Sequence, residues 1–229
     1  MRCARALILA LRYGGGHYIV NAWLLSLILA LVLVAGGCHN AAAQQATILA
    51  FGDSLTAGYG VDHKDSFPTR LEGALKIAGY DVRIINAGVS GDTSAGGLSR
   101  LNWALADKPS FAIVELGAND GLRGLNPQST FTNLDAIIVR LKAADVGVLL
   151  TGMQAPPNLG REYGTEFKNI FPHLAEKHDV ILYPFFLDGV AADPDLNQGD
   201  GIHPNAAGVN IIVKRIMPYV TRMLGADTL

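Results

Sequence analysis

From Ala41 to its end the sequence has no cysteine, since Cys3 and Cys38 are the only two in 229 residues. That part of the chain therefore has no disulfide, no thiol nucleophile and no thiolate metal site. Basic charge is also in short supply. Three of the 18 Lys and Arg residues, Arg2, Arg5 and Arg12, fall in the first 43 residues, which leaves 15 against 20 acids in the remainder. A nucleic-acid surface needs a basic footprint, so nucleic acid is not an expected partner. The six histidines form no HExxH or other paired metal spacing, and no metal or cofactor is expected. The Gly-x-Ser-x-Gly of an ordinary α/β-hydrolase elbow is missing, as are internal repeats and low-complexity tracts.

The sequence does contain enough apolar material for one sizeable core, 50% of its residues. The length suits one α/β domain behind a leader. Residues 1–43 read as that leader: three arginines, then the apolar run Ala22–Ala35, then small residues. The run is 14 residues long, against about 20 for a membrane span. Three outcomes are open. Cleavage after Ala41-Ala42-Ala43 releases a soluble domain, residues 44–229. Acylation of Cys38 in Ala35-Gly36-Gly37-Cys38 makes a lipoprotein, although the usual leucine is Ala35 here. An uncleaved segment starting near Ile19 anchors the chain. All three place the domain outside the cytoplasmic membrane, periplasmic or secreted.

Five short apolar runs bounded by turn residues read as buried strands: Thr47–Phe51, Val82–Ala87, Phe111–Leu116, Val146–Thr151 and Val180–Tyr183. Helical patterns lie between them. Ser66 with Pro68 opens one that Gly79 stops. Asp92 or Thr93 caps another, running to about Ala106. Asn126-Pro127 opens a third, with Phe131, Leu134, Ile138 and Leu141 as its stripe. Phe167, Ile170, Phe171 and Leu174 mark a fourth, with Pro172 an irregularity. The last begins after Asn205, uses Val209, Ile212, Val213 and Ile216, and is expected to kink or end at Pro218. Strands alternating with helices predict an α/β fold, a five-stranded parallel sheet in a three-layer α/β/α sandwich. Trp103 and the Phe167–Phe171 stripe are expected in the core, and His63, His173 and His178 toward solvent.

The first strand breaks at Gly52 and presents Asp53 and Ser54 beyond its carboxyl end, where ligands bind in open α/β sheets. Alone, Ser54 reads either as a helix cap or as a nucleophile. Three other stretches decide between these. In Asn86–Thr93, Gly88 follows the second strand; it is a tight-turn glycine or an N–H donor into the same crevice. In Glu115–Gly121, Asn119 follows the third strand and is a turn former or a side-chain amide donor. In Asp200–Asn205, His203 is close enough in sequence to Asp200 for the carboxylate to hold the imidazole. The set is the inventory of acyl transfer: nucleophile Ser54, base His203, orienting Asp200, and oxyanion donors from the Ser54 N–H, Gly88 and Asn119. Asp53, Asp92 and Asp120 read as loop-ordering or capping residues. Glu115 falls in an apolar strand and needs a partner if buried.

The four blocks resemble the GDSL, or SGNH, hydrolases over about residues 46–224, with Ser54, Gly88, Asn119 and His203 at the named positions. Gly52-Asp53-Ser54-Leu55, Ser90–Ser94, Glu115-Leu116-Gly117 with Asn119-Asp120-Gly121, and Asp200–Asn205 are similar to the secreted bacterial branch with acyl-CoA thioesterase, lysophospholipase and arylesterase activity. The resemblance implies a flavodoxin-like SGNH fold, no cofactor, and hydrolysis of small-molecule acyl esters and thioesters through an acyl-enzyme, in a chain expected to be monomeric. It also implies an apolar acyl groove. The loop Gln154–Asn158, expected to border that groove, fits the family pattern less closely, which leaves the preferred chain length open. The alternatives are an exported carbohydrate O-acetylesterase and a non-catalytic ligand-binding lipoprotein.

Overall fold

The computed structural model describes residues 45–225; the leader and the fate of Cys38 lie outside the described residues. The first strand, β1 (Ala46–Gly52), leads into a one-turn helix, α1 (Ser54–Ala57). Then come α2 (Phe67–Ile77), β2 (Val82–Gly88), α3 (Ser94–Ala104), β3 (Phe111–Glu115), the short α4 (Ala118–Leu122), α5 (Pro127–Ala143), β4 (Gly147–Thr151), α6 (Arg161–His178), β5 (Ile181–Tyr183) and α7 (Ala206–Met223). The five strands are parallel in the order β2-β1-β3-β4-β5. This is the expected α/β sandwich, with the five strands found within a residue or two of their expected bounds.

Burial explains why the inner strands read as unbroken apolar runs. Ile48, Leu49, Phe51, Ile113, Val114, Leu149 and Leu150 are fully buried, because helices cover both faces of the sheet. Each such side chain contributes ~1.5–3 kcal/mol relative to exposure. The edge strand β2 is buried only at Val82 and Ala87, its other positions being exposed or half-buried. Phe167 and Phe171 sit in the core as expected, stacked edge to face at 5.9 Å.

Four expectations need correction. Trp103 is 75% exposed: α3 buries Ser94, Gly97, Leu101 and Ala104, and position 103 lies on the other side of that helix. His178 is largely enclosed, its Nε2 2.6 Å from Asp135 Oδ1 at a side-chain exposure of 11%. Pro218 does not end α7, which continues to Met223, because Ile212, Ile216 and Val220 keep the helix packed on either side of it. Ser66 precedes α2 without a side-chain cap bond; its hydroxyl donates to His63 O and accepts from the Thr69 hydroxyl. Among the described residues no helix is long and apolar enough to cross a membrane, and no cluster of His, Cys, Asp or Glu is arranged to hold a metal.

Candidate active site

The tip of β1 is built by close approach. A Cβ on Gly52 would lie 2.1 Å from Thr56 Oγ1 and 2.6 Å from Glu115 Oε2, so only glycine lets α1 and β3 meet there. Asp53 caps α1, its Oδ1 accepting the Leu55 N–H at 3.0 Å, and Ser54 becomes the first residue of the helix. The Ser54 side chain is thereby fixed at the carboxyl edge of the sheet.

His203 arrives from 149 residues away on a loop preceding α7 and places Nε2 2.9 Å from Ser54 Oγ. Its Nδ1 lies 2.7 Å from Asp200 Oδ2, and Asp200 Oδ1 accepts the backbone N–H groups of Ile202 at 2.9 Å and His203 at 3.0 Å. These three interactions, led by the His203 N–H, hold the Asp200 carboxyl at about 2, below its ordinary value. An ionised Asp200 keeps the proton on Nδ1, which leaves Nε2 as an acceptor for the Ser54 hydroxyl. Gln198 braces the loop: its N–H donates to His203 O at 2.7 Å, and its side-chain amide reaches Tyr59 O and Pro204 O. Tyr59 packs its ring 4.6 Å from the imidazole. Sequence reading missed both residues, since a glutamine and a tyrosine far apart in the chain carry no local signal.

Asn119, on α4, stands beside this row. Its Nδ2 donates to Asp53 Oδ2 at 3.0 Å and to Asp92 O at 2.9 Å. The Gly88 N–H donates to Asn86 Oδ1 at 3.0 Å, turning back onto its own strand end, and Gly88 is not among the cavity-lining residues. The position needs glycine for space, since a Cβ there would lie 2.2 Å from Ala57 N. Asp92 pairs with Arg100 at 2.5 Å while Thr93 caps α3. Asp120 accepts from Ser94 Oγ and Thr130 Oγ1. Buried Glu115 has partners at one oxygen: Oε2 accepts the Thr56 hydroxyl at 2.8 Å and the Asp53 N–H at 3.3 Å.

Ser54, Asn119 and His203 open onto a cavity of about 400 Å³. Its walls include Leu122, Met153, Ala155, Pro156, Phe185 and Leu187, with Gln154 and Pro157 also on its border. A cleft of this size, apolar apart from polar groups converging at one end, suits a small ligand with an aliphatic part.

A family model described as GDSL-like Lipase/Acylhydrolase family matches residues 50–211. Esterase TesA of Pseudomonas aeruginosa is 41% identical over 206 residues, covering 90% of this chain and all of the relative. Thioesterase 1/protease 1/lysophospholipase L1 of Escherichia coli is 43% identical over 184 residues, covering 78% of this chain and 87% of the relative. Among solved structures, AlinE4, an SGNH-hydrolase family esterase, is 52% identical, with a TM-score of 0.67 and coverage of 80% of this chain and 98% of that one.

Proposed function

Because the chain belongs to the GDSL-like lipase/acylhydrolase family, we propose that it is a serine hydrolase that cleaves acyl esters and thioesters at Ser54. The relatives named esterase and thioesterase support the substrate class. The observation that carries the assignment of residues is the continuous row Asp200–His203–Ser54, with contacts of 2.7 and 2.9 Å.

In this reading His203 Nε2 takes the Ser54 proton as Oγ attacks the acyl carbonyl. The carbonyl π electrons move onto oxygen and meet the Ser54 N–H, the Gly88 N–H and an Asn119 amide hydrogen, the last two exchanging the partners they hold in the free site. Collapse expels the alcohol or thiol, which leaves with the proton from His203, and Ser54 holds the acyl group. Water then attacks, gives its proton to His203, and the carboxylic acid departs as Ser54 regains its hydrogen. Asp200 stays ionised throughout and stabilises the imidazolium. The acyl chain lies in the cavity walled by Met153, Phe185 and Leu187, where each buried methylene is worth about 0.8 kcal/mol.

Residues 1–43 act as the export signal of domain 44–229, on the strength of the arginines, the apolar run and the small residues that follow. Attachment through an acylated Cys38 is the alternative to cleavage after Ala43, and the chain is read as a monomer. The purified domain should hydrolyse p-nitrophenyl decanoate more efficiently than the acetate, and Ser54→Ala should abolish both activities. A strict preference for acetate would move the assignment to an O-acetylesterase. Full activity in Ser54→Ala would remove Ser54 from the chemistry.

A further inference from the structure

Behind Ser54 lie two carboxyl groups that the reaction just described does not use. Asp53 and Glu115 have no solvent exposure. Glu115 ends β3 opposite Gly52, the last residue of β1, and Asp53 follows Gly52. Among the described residues neither forms an ion pair with a Lys or Arg. Arg100, the nearest such group on α3, spends its donors on Asp92, Ala87 O and Gly52 O. Asp92 is neutralised by that arginine, and Asp120 on α4 is held by Ser94 and Thr130. His203 faces Asp53 from beyond Ser54, the one further titratable group named as acting on the pair among the described residues.

Two bare carboxylates in such a place would be very costly. A further sign is Glu115 Oε1, which is buried without a partner. An ionised Glu115 can only accept hydrogen bonds, whereas a protonated one becomes a donor facing Asp53. We infer that Asp53 and Glu115 share one proton as a buried acid–carboxylate pair, and that this pair is a positioning unit that holds the Asn119 side chain in place beside Ser54. The link is the 3.0 Å bond from Asn119 Nδ2 to Asp53 Oδ2. Burial pushes Asp53 up to about 6, and it raises Glu115 well above the ordinary glutamate value, with the Asp53 charge adding to the effect. The working state has the proton on Glu115 and the charge on Asp53. A second proton, on Asp53, removes the anion that orients Asn119.

The inference rests on the proposed Ser54 chemistry and is tested separately from it. Infrared spectra of the folded wild type at neutral pH should contain the carbonyl stretch of a protonated carboxylic acid that Glu115→Gln lacks. Kinetics on p-nitrophenyl decanoate give the second readout. At acid pH, below the Asp53 value of about 6, protonation of Asp53 should steepen the fall of wild-type kcat/KM beyond about tenfold per pH unit. Asp53→Asn should reduce kcat and show only about a tenfold fall per unit. Glu115→Gln keeps a donor toward Asp53 and should stay within about threefold of wild-type kcat. Glu115→Leu should lose about 10²-fold in kcat with KM little changed, the scale of one misplaced oxyanion donor. The inference is overturned by a wild-type spectrum without that band, by equal kcat in the Gln and Leu variants, or by an unchanged limb in Asp53→Asn. An active Ser54→Ala would instead overturn the reading beneath it.

Discussion

Replacing Asp200 by asparagine separates what its two oxygens do. Oδ1 accepts two backbone N–H groups and shapes the loop; Oδ2 faces His203 Nδ1 at 2.7 Å. The amide oxygen of Asp200→Asn can keep the first role. Its NH2 then faces Nδ1, where two donors cannot meet, so the imidazole moves its proton to Nε2. That nitrogen sits 2.9 Å from Ser54 Oγ and can no longer accept. The expected loss is about 10³–10⁴-fold in kcat, or ~4–5.5 kcal/mol of barrier, with KM little changed. The assay is steady-state hydrolysis of p-nitrophenyl decanoate, with circular dichroism to verify the fold. A folded variant that loses less than about tenfold would show that Asp200 does not set the tautomer, and the triad reading would fail.

Asn119→Ala should lower kcat by about 10²–10³-fold, because one side-chain donor to the oxyanion disappears; a change confined to KM would assign Asn119 to binding instead. The pair behind Ser54 also affects stability. A carboxyl whose pKa is raised in the folded state binds more protons there than when unfolded, so stability falls as pH climbs from the unfolded value through the folded one. For Glu115 that window begins near 4.5 and extends upward. The Tm of wild type should therefore drop relative to Glu115→Gln as pH rises from about 4.5, and parallel curves would contradict the burial of an ionisable Glu115. Mass spectrometry of exported protein should find Gln44 as the N-terminus or an acylated Cys38; an intact Met1 would remove the cleavable signal.

The fold was legible because each inner strand is buried on both faces, and a run such as Ala112-Ile113-Val114 allows little else. The catalytic blocks were legible because Ser54, Asn119 and His203 follow strand ends or precede a helix, where a parallel sheet collects its loops. Local pattern misled where the third dimension decided. Gly88 needs its lack of a side chain because α1 packs against it, a contact that no local pattern shows. Trp103 is apolar but lies on the outer side of its helix. Pro218 breaks the backbone ladder without breaking α7, since tertiary packing outweighs local propensity. The bond between Glu115 and Thr56 joins residues 59 apart and leaves no trace in a linear reading.

The central claim is that one hydroxyl out of the whole chain is the nucleophile. Labelling with a fluorophosphonate, followed by peptide mass spectrometry, tests it most directly. The account predicts stoichiometric modification of Ser54 alone, strongly slowed in His203→Ala and absent in Ser54→Ala. Modification of a different residue, or none in a folded and active wild-type protein, would contradict it.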